Sequence, residues 1–121
     1  MKWTISHIPE GNIIHIETAG KISVDTLNQM IKEGVETGEL HNSRLFLVDH
    51  RKALGSLSLP ESLDRPQMAD KLGVPRHSRI AQVVSEENLE KFKILELITQ
   101  NRGYQLLIFT DIKLAKEWLS S

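Results

Sequence analysis

Apolar and polar residues alternate at the start of the chain, over Trp3–Ile8 and again over Asn12–Thr18. Alternation of period two sends successive side chains to opposite faces of a strand. Pro9-Glu10-Gly11-Asn12, between the two runs, carries turn-forming residues, so the pair predicts a hairpin. Pairing Ile8 with Ile13 puts Trp3, Ile5, Ile14 and Ile16 on one face, which is buried, and Thr4, Ser6, His15 and Glu17 on the other. Gly20 is expected to break the second strand. The spacing then becomes helical: Val24, Leu27, Ile31 and Val35 share a face, Ser23 is a suitable N-cap, and Asp25 sits where the helix dipole favours an anion. Gly38 is expected to close this helix.

Leu45-Phe46-Leu47-Val48 is a continuous apolar run, suited to a central strand covered on both faces, and Asp49-His50-Arg51 is expected to end it. Lys52–Leu59 reads as loop. A weakly patterned helical stretch spans 60–72, and Pro66 within it predicts two short pieces or a late start. Arg79–Val84 is the next strand. Ser85 is expected to cap a helix with Glu86 and Glu87 in its first turn and the stripe Leu89, Phe92, Leu95 and Ile98, ended by Gly103. Tyr104–Phe109 forms the last strand and Asp111–Leu119 the last helix. The expectation is an α/β fold in one domain over residues 1–121: a mixed five-stranded sheet, antiparallel in its N-terminal hairpin and mostly parallel afterwards, with about four helices. Crossover handedness leaves the neighbour order of the strands open.

Three stretches carry a resemblance. Leu45–Arg51 (LFLVDHR) is an apolar strand ending in Asp-x-Arg, Arg79–Val84 (RIAQVV) is a core strand, and Leu106–Leu119 (LLIFTDIKLAKEWL) joins a strand to a helix through Phe-Thr-Asp and closes with Trp-Leu. Together they resemble the SpoIIAA-like family of small bacterial proteins, grouped with STAS domains and the CRAL-TRIO lipid-transfer fold. The resemblance implies a STAS-like domain that is not an enzyme. STAS domains of the sporulation type antagonise an anti-sigma factor and are switched by phosphorylation of a serine in an Asp-Ser-Ser/Thr-Gly-Leu signature. The corresponding stretch here, DHRKALGSLSLPESL, lacks that signature. Ser56 and Ser58 are the phosphorylation candidates it leaves, and the departure counts against an anti-sigma role.

Composition narrows the function classes. The chain has 121 residues, a net charge of −1 and no cysteine, which excludes disulfides and thiolate chemistry. Near-neutral charge gives no global pull toward nucleic acid or an anionic membrane. No apolar run nears the roughly 20 residues of a membrane span, and Met1-Lys2-Trp3-Thr4 enters a β pattern directly rather than a signal peptide. The expected location is the cytoplasm. Positive charge gathers over residues 51–79, in Arg51, Lys52, Arg65, Lys71, Arg76 and Arg79 with His77 among them, a scatter that reads as solvated surface, the alternative being an anion-binding face.

Asp49, His50 and Arg51 lie just past the expected end of a central strand, where open α/β sheets place ligands. Asp49 could orient an imidazole or guanidinium, and Arg51 could clamp a carboxylate or phosphate; the alternative is that Asp49 caps local amides and pairs with Arg51. None of the five histidines has metal-motif spacing, and only His50 and His77 fall near expected strand termini. There is no Gly-x-Ser-x-Gly elbow, phosphate loop or dinucleotide fingerprint. No catalytic residue, metal or cofactor is therefore assigned. The leading expectation is a regulatory or interaction domain with a protein partner or a homodimer contact. An alternative is a binder of a lipid-like, apolar or amphipathic anionic ligand under the 54–72 segment, its head at Arg51 or Arg76. A second alternative is an enzyme using Asp49 and His50.

Overall fold

A computed structural model describes residues 1–100 and 102–121. The hairpin strands are β1 (Lys2–Ile8) and β2 (Ile13–Lys21), followed by α1 (Val24–His41), β3 (Leu45–Leu54), α2 (Leu59–Leu63) and α3 (Arg65–Lys71). Then come β4 (Arg79–Val83), a 3-10 turn over Glu86–Asn88, α4 (Leu89–Ile98), β5 (Gln105–Phe109) and α5 (Ile112–Leu119). Ser23 caps α1 by accepting from the Thr26 N–H, and Asp111 caps α5 by accepting from the Lys113 N–H. The weakly patterned region does split in two, with Pro60 and Pro66 each in a first turn.

The sheet has the order β1-β2-β3-β4-β5, with β1 antiparallel to β2 and the other pairs parallel. Ile8 pairs with Ile13 and Ile5 with Ile16, the register that the alternation predicts. Right-handed crossovers that advance one strand at a time in the same direction all fall on one face. The core divides accordingly. Leu27 and Met30 of α1 and Phe92 and Leu95 of α4 pack with Ile14, Ile16, Phe46, Val48 and Ile108. On the other face Ala115 and Leu119 of α5 meet Ile13, Leu47, Ala81 and Val83. α5 follows the last strand, is no crossover, and so can cover the opposite side. At the sheet edge, Glu96 of α4 accepts a 2.7 Å hydrogen bond from the Ile108 N–H of β5, capping one group of an otherwise open strand.

Three expected boundaries moved. Gly20 does not break β2: at φ +95° it lies against the backbone of Met1, and the strand continues to Lys21. Gly38 does not end α1, which runs on to His41 and closes at Asn42 in the left-handed conformation. A side chain at Gly38 would stand 3.1 Å from both the Phe46 ring and the Ser43 carbonyl, so this glycine lets the helix approach the sheet. Ser85 makes no side-chain cap; the 3-10 turn intervenes, and α4 stops at Ile98, ahead of Gly103.

The close approach at Gly38 yields a first prediction. Gly38→Val should destabilise the domain by about 2 kcal/mol or more through overpacking, despite valine's better helix propensity. Urea unfolding measures it; unchanged stability would show that the helix can lift from Phe46 freely.

Candidate functional site

The expected end of β3 is the point at which the structure departs most from the sequence reading. β3 continues to Leu54, so Asp49, His50 and Arg51 lie within a strand rather than beyond one. Glu17 pairs with Asp49 and Ala19 with Lys52, leaving one extra residue on β3 opposite Thr18. This is a β-bulge, a device that re-aims side chains. Pairing with β4 stops at Asp49, and β3 goes on beside β2 alone.

Around the bulge, neighbouring polar residues part company. Asp49 takes the face covered by α5 and binds Arg51 through both oxygens: Oδ1 accepts from Nε at 3.0 Å and from the Arg51 backbone N–H at 3.0 Å, and Oδ2 accepts from Nη2 at 2.7 Å. Burial alone would raise the Asp49 carboxyl, but the hydrogen bonds and charge of Arg51 outweigh it and hold the group below the usual carboxylate range. The two residues line a shallow cleft with Glu17, Lys52 and Ile112.

His50 takes the other face. It is 3% exposed and tilts against Phe92 at 5.7 Å between ring centroids. Its Nδ1 lies 2.7 Å from the Thr18 hydroxyl, which is itself 3.2 Å from the Asp49 carbonyl. A hydroxyl has one proton to give, so it can donate to the carbonyl or to the ring but not to both, and the imidazole tautomer follows from which it takes. Burial pushes the imidazole down to about 4, against the opposing pull of Asp49. The ring is therefore neutral at physiological pH.

His50 lines a cavity of about 110 Å³ between the sheet, α1 and α4, roofed by the 56–74 segment. Ile16, Phe46, Val48 and Ile80 form its floor, Leu27 and Met30 one wall, Phe92 and Leu95 the other, and Leu57, Ala69 and Val74 its cover. The few polar groups are informative. Thr99 spends its hydroxyl on the Leu95 carbonyl at 2.6 Å. Arg65 of α3 donates from Nη1 to Asn28 Oδ1 at 2.7 Å, while its buried Nη2 has no hydrogen-bond partner among the described residues. Burial lowers the Arg65 pKa, and Tyr104 nearby offsets part of that. Gln82 of β4 has a buried Oε1 that is likewise unpaired among the described residues.

The remaining candidates are scattered. Arg51 points away from the cavity, and Arg76 is exposed, its guanidinium beside Gly103 at the amino edge of the sheet. Neither lies on the cavity under the 54–72 segment, whereas Arg65 lines it. His77 also lies at the amino edge, before β4, whereas His50 is near the carboxyl edge, so the two do not meet. Ser56 lines the cavity. Ser58 is the N-cap of α2, in a reciprocal capping box with Glu61. His7 and His41 stack at 3.8 Å beside Asn12, whose side chain bonds the carbonyls of His41 and Asn42. Among the described residues no three His, Asp or Glu side chains cluster to hold a metal ion.

Arg65 and Gln82 were missed at the sequence level. Arg65 was one of several cations in a stretch read as solvated surface or an anion-binding face, and nothing local distinguishes it from the others. Gln82 carried a signal, since one amide interrupts an otherwise apolar parallel strand.

Two predictions come from this geometry. The unfolded chain takes up a proton on His50 near 6.5 and the folded one only near 4. Stability is therefore full above 6.5 and falls as the pH drops between these values. The loss attributable to His50 should be about 2 kcal/mol between pH 7 and pH 5. His50→Gln should remove it, and equal pH slopes in urea unfolding of the two proteins would refute the assignment. Asp49→Ala should cost roughly 1 kcal/mol by releasing Arg51, with no effect on cavity binding because the pair faces the other way.

Neither the family models nor the curated proteins compared with the chain include a match. Among solved structures, the chain is similar to an uncharacterised protein of the DUF3478 family with a SpoIIAA-like fold, from Shewanella loihica PV-4. The two are 21% identical with a TM-score of 0.62, and the likeness covers 98% of this chain and 92% of the other. The chain thus has a SpoIIAA-like fold, the architecture implied by Leu45–Arg51, Arg79–Val84 and Leu106–Leu119.

Proposed function

We propose that this domain works by non-covalent association, as a regulatory or interaction module that binds a small ligand in the cavity beneath α2 and α3. The observation that carries this reading is the cavity: an apolar pocket, partly open to solvent, under a cover built from two short helices, with polar atoms at its boundary that have no partner among the described residues. Ligand sites have this character, mostly apolar with a few placed polar groups. At about 110 Å³ the space is near that which accepts a single aromatic ring. A long acyl chain would require α2 and α3 to move aside, so a compact ligand fits better than a lipid.

A reaction at Asp49 and His50 draws no support from the geometry. Asp49 is neutralised by Arg51 on one sheet face, while His50 is held by Thr18 on the other. A protein partner or second copy is the second reading. It is supported by Leu59 and Leu63 of α2, 54% and 53% exposed on the outside of the cover.

Native mass spectrometry of gently purified protein is expected to show a small bound molecule, or a thermal shift in a panel of ring-sized probes. An unliganded mass with no shift for any probe would overturn the binding reading. Light scattering of wild type and Leu59→Lys/Leu63→Lys protein would separately reveal whether these leucines join copies.

A further inference from the structure

The polar atoms around the cavity specify more than its size. Arg65 projects from the cover, and its Nη2 is buried without a hydrogen-bond partner among the described residues. An unpaired buried guanidinium nitrogen is costly, and an anion that accepts from it would recover much of that cost. Carboxylates suit guanidinium donors in charge and geometry. Asn28 already occupies Nη1, so the remaining donor face accommodates one carboxylate.

The floor offers the opposite chemistry. Gln82 Oε1 is a buried acceptor with no donor among the described residues. Gln82 pairs in register with Val48, so His50 stands two residues further along the neighbouring strand on the same face. His50 lines the same cavity, its Nδ1 held 2.7 Å from the Thr18 hydroxyl. A cationic donor in the cover thus stands over a neutral acceptor in the floor, with Phe46, Val48, Phe92 and Leu95 among the apolar walls.

We propose that the cavity recognises a small monocarboxylic acid with a compact apolar body, of about one ring, and a hydroxyl or N–H donor at the end remote from the carboxylate. Arg65 receives the carboxylate, and Gln82 receives the donor. The assignment rests on the binding reading and adds the class of ligand.

The test uses the full chain and 4-hydroxyphenylacetate as probe, with phenylacetate, 4-hydroxyphenylacetamide and p-cresol as comparisons, followed by calorimetry and amide chemical shifts. 4-Hydroxyphenylacetate should bind best, shifting amides of α3, β4 and α4. Loss of the charge, in 4-hydroxyphenylacetamide or in Arg65→Gln, should weaken binding about 10- to 100-fold. Loss of the hydroxyl should weaken binding to wild type and matter little in Gln82→Leu. If Arg65→Gln or Gln82→Leu does not fold, the ligand series on wild type still decides. Equal affinity for p-cresol and the acid would overturn the carboxylate assignment and leave the cavity a binder of apolar molecules. Binding of none of the probes would overturn both readings.

Discussion

Four parallel strands laid down in chain order push every crossover onto one face of the sheet. α1, the α2–α3 segment and α4 must therefore share that face, while α5 alone covers the other. α1 and α4 carry the large apolar side chains, α1 packing against β1 and β2 and α4 against β5. The middle crossover supplies only two short helices, so it bridges them as a roof instead of filling the space between. The cavity follows from this arrangement: two long elements set its walls, and a short one set above them leaves it unfilled.

The bulge opposite Thr18 then decides which polar residues reach that space. One extra residue in β3 lets Asp49 and Arg51 close a bidentate pair on the α5 face, while His50 turns inward against Phe92. Three consecutive polar residues that look like one site are thus divided between two environments. Each is satisfied where it lies, which is why the strand survives a run of polarity that would ordinarily end it. Arg65 and Gln82 are not fully satisfied within the described residues, and they stand at the roof and floor of one cavity. Natural folds keep few such groups without reason.

Much of the architecture was legible because it depends on local periodicity. The Ile8–Ile13 register, the Ser23 and Asp111 caps and the division of the 60–72 stretch at Pro66 all rest on neighbours in sequence. Errors arose where a local signal was overridden from a distance. Gly20 stays in its strand because Met1 runs beside it, and Gly38 stays in its helix because Phe46 presses on it from the sheet. The candidate site was legible only in part: His50 was chosen for its position at a strand end, and it contributes for a different reason, burial on the crossover face. A cover over residues 54–72 was only one of three expectations for that stretch, beside packing on the sheet and a second subunit, and its cation was not singled out, because exposure of Arg65 and Arg76 cannot be told apart from composition.

By itself the sequence determined most elements, their order, the pairing of the hairpin and a mixed, mostly parallel α/β sheet, since each depends on periodicity, capping and turn chemistry within short range; the SpoIIAA-like type was implied only by the resemblance of three motifs. Only the tertiary structure decided strand order, the bulge, and which polar atoms meet. Those outcomes depend on residues 17 to 37 positions apart, such as Arg65 and Gln82, Thr18 and His50, or Asn28 and Arg65. Such pairs share a hydrogen bond or a cavity in the fold and carry no trace in the chain until helices and sheet have packed.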